Sequence, residues 1–258
     1  LQGAILLISG NLTEAEVKST FNPLFASPRP ATPAPASTDF SIPPAKAKRL
    51  IIVDRPGATQ TMILLAMPGV SYEDPRRIQL DMLNTIFGGS FTSRLNQNLR
   101  EDHGYTYGAR STFSMEPSVG FFTAGASVQA EATGPALAEF VKEFDRIRAG
   151  DITADEAAKA RETVRNDAVR AFSAVSGVLE AAAPLIASGL PFETLSRDFA
   201  SMNRGDAKGL NTLAAQAVPF DRAVIVLVGD RAVITAQLND LPLPKPEFMT
   251  PEGTAIAD

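Results

Sequence analysis

Apolar positions in this chain follow two rhythms: short unbroken runs bounded by Gly and Pro, and longer stretches in which they recur every three or four residues. The first rhythm predicts strands at AILLIS (4–9), RLIIVD (49–54), QTMILLAMP (60–68), TYGARSTFSM (106–115), VGFFTAGASV (119–128) and AVIVLVG (223–229). The fourth and fifth read as an antiparallel pair joined across Glu116-Pro117-Ser118. The second rhythm predicts helices, several with their own start signals. Thr13-Glu14-Ala15-Glu16 and Thr153-Ala154-Asp155-Glu156 are capping boxes, in which hydroxyl and carboxylate satisfy free backbone N–H groups. Asp74-Pro75 supplies an N-cap and a first-turn proline to a helix carrying Ile78, Met82, Leu83 and Ile86, which Gly88-Gly89 stops. Ser90 or Thr92 caps the next helix, which runs through Leu95 and Leu99 to a left-handed end at Gly104. Leu137, Phe140, Val141, Phe144 and Ile147 share one face of a helix ending near Gly150. Further helices run from the second capping box to about Arg170 and over 172–187, 192–201 and 206–217. Strands flanking helices give the class α+β: a two-layer domain with an antiparallel or mixed sheet and helices packed on one face.

Prolines at 28, 30, 33, 35, 43 and 44 divide the chain. Each fixes φ and removes a donor, so this stretch reads as a semi-rigid extended linker. The expected layout is a terminal strand and helix over 1–26, a Pro/Ala-rich linker over 27–47, a complete domain over 48–240 and a tail over 241–258. AILLISGN followed by a helix resembles AVIVLVGD followed by a helix from Arg231, so the first segment reads as the last strand and helix of a preceding, similar domain. One strand and one helix make no core alone.

Apolar residues make up 45% of the chain and charged ones 21%, the balance of a globular protein. A net charge of −5 and the lack of a Lys/Arg-rich run argue against nucleic acid as a partner. No apolar run approaches the ~18 residues of a membrane span. The chain has no cysteine, hence neither disulfides nor thiolate chemistry. An acidic, cysteine-free, Ala/Pro-rich chain suits a bacterial periplasm, with the cytoplasm as the alternative.

Candidate chemistry gathers in RLNQNLREDHGYTYGARS (94–111), which holds the single histidine. Zinc needs three or four ligands, and Glu101, Asp102 and His103 are adjacent, fanning out about 100° apart on a helix end. No metal site is expected in this chain. His103 reads as a helix-end residue favoured by the negative end of the dipole. Gly88, Gly89 and Ser90 form either an inter-helix turn or an anion cradle at a helix start, and are candidates for substrate binding. Arg100 in the last helical turn and Tyr107 on the returning strand can approach over the strand edge, where two donors suit a carbonyl oxygen gaining negative charge. The same residues could instead neutralise a helix end and fill a sheet. Tyr105 shares a strand face with Tyr107, and periodicity does not separate the two.

FGGSFTSRLNQNLREDHGYTYGARSTF (87–113) resembles the Gly-Gly, Ser-Arg-Leu, Leu-Arg-Glu and Gly-x-x-Tyr segment of the pitrilysin/insulinase metallopeptidases, which include processing peptidases. In that family the H-x-x-E-H zinc motif lies on one half, and the other half supplies an arginine and a tyrosine seven residues apart. The resemblance therefore implies catalytic roles for Arg100 and Tyr107, with Tyr105 a substrate-binding candidate. With one histidine, the chain is expected to be the zinc-free half of a zinc metalloendopeptidase, inactive alone. Its expected partners are an H-x-x-E-H-bearing homologous subunit in a heterodimer, which binds the zinc, and an extended peptide substrate. The alternative is a non-catalytic scaffolding subunit of the same fold.

Overall fold

A computed structural model describes residues 4–25, 46–239 and 241–256. Helix α1 (Glu14–Phe25) opens on the expected capping box: the Thr13 N–H donates to Glu16 Oε2 at 2.7 Å and the Glu16 N–H to Thr13 Oγ1 at 3.3 Å. No residue of α1 is buried. Residues 4–9, expected as a strand, pair with no described strand, and an apolar run without a partner has no ladder to join. Nearly all of the proline-rich linker lies outside the described residues.

Strands β1 (Arg49–Asp54) and β2 (Gln60–Pro68) have the predicted bounds. Helix α2 (Arg77–Asn84) widens into a π-type turn over Thr85–Gly89, and the short α3 (Arg94–Asn96) widens likewise over Gln97–Asp102. β3 (Thr106–Met115) and β4 (Gly120–Gln129) follow as the antiparallel pair. Then come α4 (Thr133–Ala149), α5 (Ala154–Phe172), α6 (Val175–Ala187), α7 (Glu193–Ser201) and α8 (Ala207–Ala217). β5 (Val224–Gly229), α9 (Arg231–Thr235), β6 (Pro246–Met249) and β7 (Ala255–Ile256) complete the order. The last two strands fall in the stretch that the sequence reads as a tail.

The seven strands form one mixed sheet in the order β3-β4-β2-β5-β1-β6-β7. β1 runs parallel to β5 and β6, and the remaining pairs are antiparallel. Burial alternates along the strands: Thr61, Ile63, Leu65 and Met67 of β2 are buried, while Met62 and Leu64 remain 48% and 40% exposed. The helices cover the first face, with a phenylalanine chain as the seam: Phe144 stacks on Phe220 at 4.6 Å and meets Phe87 at 4.7 Å, and Phe87 reaches Phe122 on β4 at 5.9 Å. Among the described residues no helix covers the opposite face.

Two side chains fix the motif segment on this frame. Arg94 is 9% exposed, donates from Nε and Nη2 to Glu156 at 2.7 and 2.9 Å, and also pairs with Asp151. Glu156 is at the same time the closing carboxylate of the second capping box, accepting from the Thr153 N–H at 2.9 Å. One carboxylate thus ties α3 to the start of α5. Burial pushes the Glu156 carboxyl up, but the Arg94 guanidinium and the Thr153 backbone and hydroxyl outweigh it and hold the carboxyl down at about 2.

A carboxylate depressed in the folded state adds stability above its unfolded value near 4.5, lost as pH falls through about 2. Arg94→Met is expected to lower unfolding free energy at neutral pH by about 3 kcal/mol, the low end for breaking a buried pair because both carboxylates are partly exposed. Urea titrations of both proteins should show the gap narrowing between pH 5 and pH 2; parallel curves would contradict this role.

Candidate functional site

The motif helix ends by a backbone device. Its π-type turn carries the His103 N–H to the Asn98 carbonyl at 3.1 Å. Gly104 then adopts φ +65°, open to glycine without strain, as the sequence predicts. Its N–H donates to the Arg100 carbonyl at 3.1 Å, and that of Tyr105 donates to Leu99 at 2.9 Å. The helix starts later than the sequence suggests: Ser93, with extended backbone, is the N-cap, one residue after Thr92 and three after Ser90. Ser93 accepts from the Asn96 side chain at 3.3 Å, and Ser90 instead donates to the Thr85 carbonyl at 3.0 Å, finishing the previous helix.

Arg100 is about one-third exposed, at 32%, and its guanidinium lies 4.3 Å from the ring centre of Phe91, a cation–π contact that holds its plane. Nη1 comes within 3.2 Å of Glu101 Oε1 without hydrogen-bond alignment, and it is shielded from solvent with no hydrogen-bond partner. The guanidinium is thus ion-paired with Glu101 while Phe91 holds its plane. Tyr107 is 96% exposed. It sits in a β-bulge: Thr106 faces Val128 and Ala109 faces Ala126, so β3 takes one residue more than β4 over this interval. Arg100 and Tyr107 make no contact with each other.

The structure separates the two tyrosines that periodicity leaves equivalent. Tyr105 packs partly into the core and stacks on His103, rings 5.0 Å apart and 6° from parallel. His103 caps the helix and lies 3.8 Å from Glu139. Gly88 and Gly89 serve close approach. A Cβ on Gly88 would lie 2.6 Å from the Ser111 backbone nitrogen on β3, and one on Gly89 would lie 2.4 Å from the Asn84 amide.

Sequence reasoning passes over the residue that connects these parts. Asn96, 6% exposed, accepts from the Ala109 N–H at 2.9 Å and donates to the Ser90 carbonyl at 3.0 Å. It pins the end of the bulge and the inter-helix turn to the same helix. Only the long-range pairing reveals this, since a polar residue inside a helix reads as surface.

Behind the motif helix, towards α4 and α5, lies a polar cleft of about 410 Å³ lined by Ser90, Arg94, Asn98 and His103 among others. Its walls are laced by ion pairs, Arg94 with Glu156 and Arg146 with Glu143, and neither Arg100 nor Tyr107 lines it. One histidine and no cysteine do not fit a zinc site, and among the described residues no three His, Cys, Asp or Glu side chains gather where they could hold a metal. Nor is any single described helix long and apolar enough to cross a membrane.

Comparison with known proteins places this arrangement. Residues 3–164 match the family model of the peptidase M16 inactive domain. An uncharacterized zinc protease of Streptomyces coelicolor is 33% identical over 101 residues, 39% of this chain and 22% of that protein. Among solved structures, a peptidase M16 inactive domain from Pseudomonas fluorescens superposes with TM-score 0.75 at 23% identity, covering 86% of this chain and 52% of that one. The periplasmic protease PqqL from Escherichia coli superposes with TM-score 0.67 at 16% identity, covering 86% of this chain and 25% of that one. The chain thus matches only part of the length of these relatives. The family model spans well over half of the chain, and the mixed sheet with helices on one face is the same architecture: the chain belongs to the M16 (pitrilysin/insulinase) peptidase family, carrying its inactive domain.

Proposed function

We propose that the chain is the zinc-free half of a two-part zinc metalloendopeptidase, binding an extended peptide and presenting Arg100 and Tyr107 to the scissile carbonyl. The zinc and its H-x-x-E-H motif belong to a homologous partner subunit in a heterodimer. This chain's residues bind, orient and donate hydrogen bonds. The observation that supports the reading is Arg100 held in place by Phe91 at the end of the motif helix, with the Tyr107 phenol exposed on the strand that follows seven residues later. Gly88, Gly89 and Ser90 contribute by bringing the motif segment close to β3, and Tyr105 by anchoring the strand that carries Tyr107. The fold shared with a periplasmic protease supports a periplasmic setting.

Mixing the chain with an H-x-x-E-H-bearing homologue should produce peptide cleavage that a chelator abolishes. Arg100→Ala and Tyr107→Phe should each lower kcat about 10²-fold, the usual loss for one oxyanion donor, with assembly and melting temperature unchanged. Normal turnover in both variants would leave the scaffolding role instead.

Asn96→Ala is expected to leave the buried Ala109 N–H unpaired, costing about 1–3 kcal/mol of stability, and to reduce kcat by loosening the bulge under Tyr107. Unfolding curves and turnover measured on the same preparation check both effects; unaltered turnover would detach the bulge from catalysis.

A further inference from the structure

On the open face of the sheet, opposite the helices, the strands present mainly apolar and hydroxyl side chains: Met62 and Leu64 on β2, Thr112 on β3, Thr123 on β4. Two charged groups there neutralise one another. Arg49 donates to Glu247 from Nε at 2.8 Å and from Nη2 at 2.6 Å, between β1 and β6 at the far side of the sheet. Arg110 is different. It is exposed on β3, its register partner is Gly125, whose lack of a side chain leaves the adjacent surface clear, and it makes no hydrogen bond or ion pair with any described residue. In a chain of net charge −5, an uncompensated cation on a face whose other charges, Arg49 and Glu247, cancel in a pair marks a place for an anion.

β3 is also the edge of the sheet: among the described strands it pairs only with β4. An extended peptide laid along it would have backbone groups to pair with and alternate side chains over the open face. We propose that Arg110 is a specificity-determining residue that takes a carboxylate side chain of that peptide, so that the preferred substrates carry Asp or Glu near the bond to be cleaved. The guanidinium fork suits a carboxylate in two-point contact. Arg110 lies three residues after Tyr107, one of them absorbed by the bulge, which places it roughly 7–10 Å further along the strand. The carboxylate therefore falls two or three residues from the bond facing Tyr107. This inference rests on the peptide-binding reading above.

The test reads binding without cleavage. Short fluorescent peptides that differ only in carrying Asp, Asn or Lys at one position are titrated against the purified chain by fluorescence anisotropy. The Asp peptide should bind about fivefold more tightly than the Asn peptide, the upper scale of an exposed ion pair, and added salt should shrink the difference. Arg110→Gln should erase the preference, Arg110→Glu should transfer it to the Lys peptide, and Tyr107→Phe should leave it in place. Equal binding of Asp and Asn peptides, absence of saturable binding, or a preference that survives Arg110→Gln overturns the inference. Carboxylate preference without partner-dependent cleavage would remove only the catalytic reading, whereas cleavage indifferent to the carboxylate would remove only this one.

Discussion

Gly104 is the hinge on which the candidate site depends. A helix running one way must give way within one residue to a strand running back, and the left-handed backbone that allows this suits glycine. Because the helix widens before it ends, the last bonds run from His103 to Asn98 and from Tyr105 to Leu99, a longer reach than an ordinary α-helical close. That widening sets which way Arg100 leaves the helix. The bulge at Tyr107 does the same for the strand, re-aiming one side chain without disturbing the β3–β4 pairing beyond it. Two local irregularities, one on each side of a single glycine, thus orient the two donors.

Elsewhere the structure holds this irregular segment with committed interactions. Arg94 joins α3 to α5, Asn98 donates to both Glu139 and Glu143 of α4, and Asn96 holds the bulge. On the helical side polar groups are bound to one another, and Arg100 is paired with Glu101 and packed on Phe91; Tyr107 and Arg110 on β3 make no hydrogen bond or ion pair with any described residue. That contrast is the pattern of a rigid scaffold presenting uncommitted donors, since a group already satisfied internally gains little from a ligand.

Much of the fold is legible in the sequence because it rests on local signals. β1, β2 and β3 are bounded by Gly, Pro or charged residues at both ends, and the capping boxes at Thr13 and Thr153 and the glycines at 104 and 150 mark helix limits. What fails is whatever depends on distant partners. β6 and β7 are four and two residues long in a Pro-rich stretch, and only the pairing of β6 with β1 and of β7 with β6 makes them strands. Conversely, AILLIS has a strand's composition and pairs with no described strand. Three hydroxyl residues within four positions, Ser90, Thr92 and Ser93, offer similar local caps, and the third starts the helix: its backbone is extended and its carbonyl accepts from the Gln97 N–H at 2.9 Å. The candidate pair is recoverable from its seven-residue spacing, yet Phe91, the bulge and Asn96, which hold and aim it, leave no periodic trace.

Exposure bears most directly on what this chain can do alone. A phenol that is 96% exposed is surrounded by water, where two unit charges 4 Å apart interact by roughly 1 kcal/mol; at the effective dielectric of a protein surface the figure is roughly 4 kcal/mol. A donor in bulk solvent therefore stabilises a developing oxyanion hardly better than the water it replaces. On the proposed reading, Tyr107 would acquire catalytic weight only once a second surface covered it and excluded solvent. A partner of the proposed kind, carrying the H-x-x-E-H motif and facing this strand, would bring the metal and the solvent-excluding surface together.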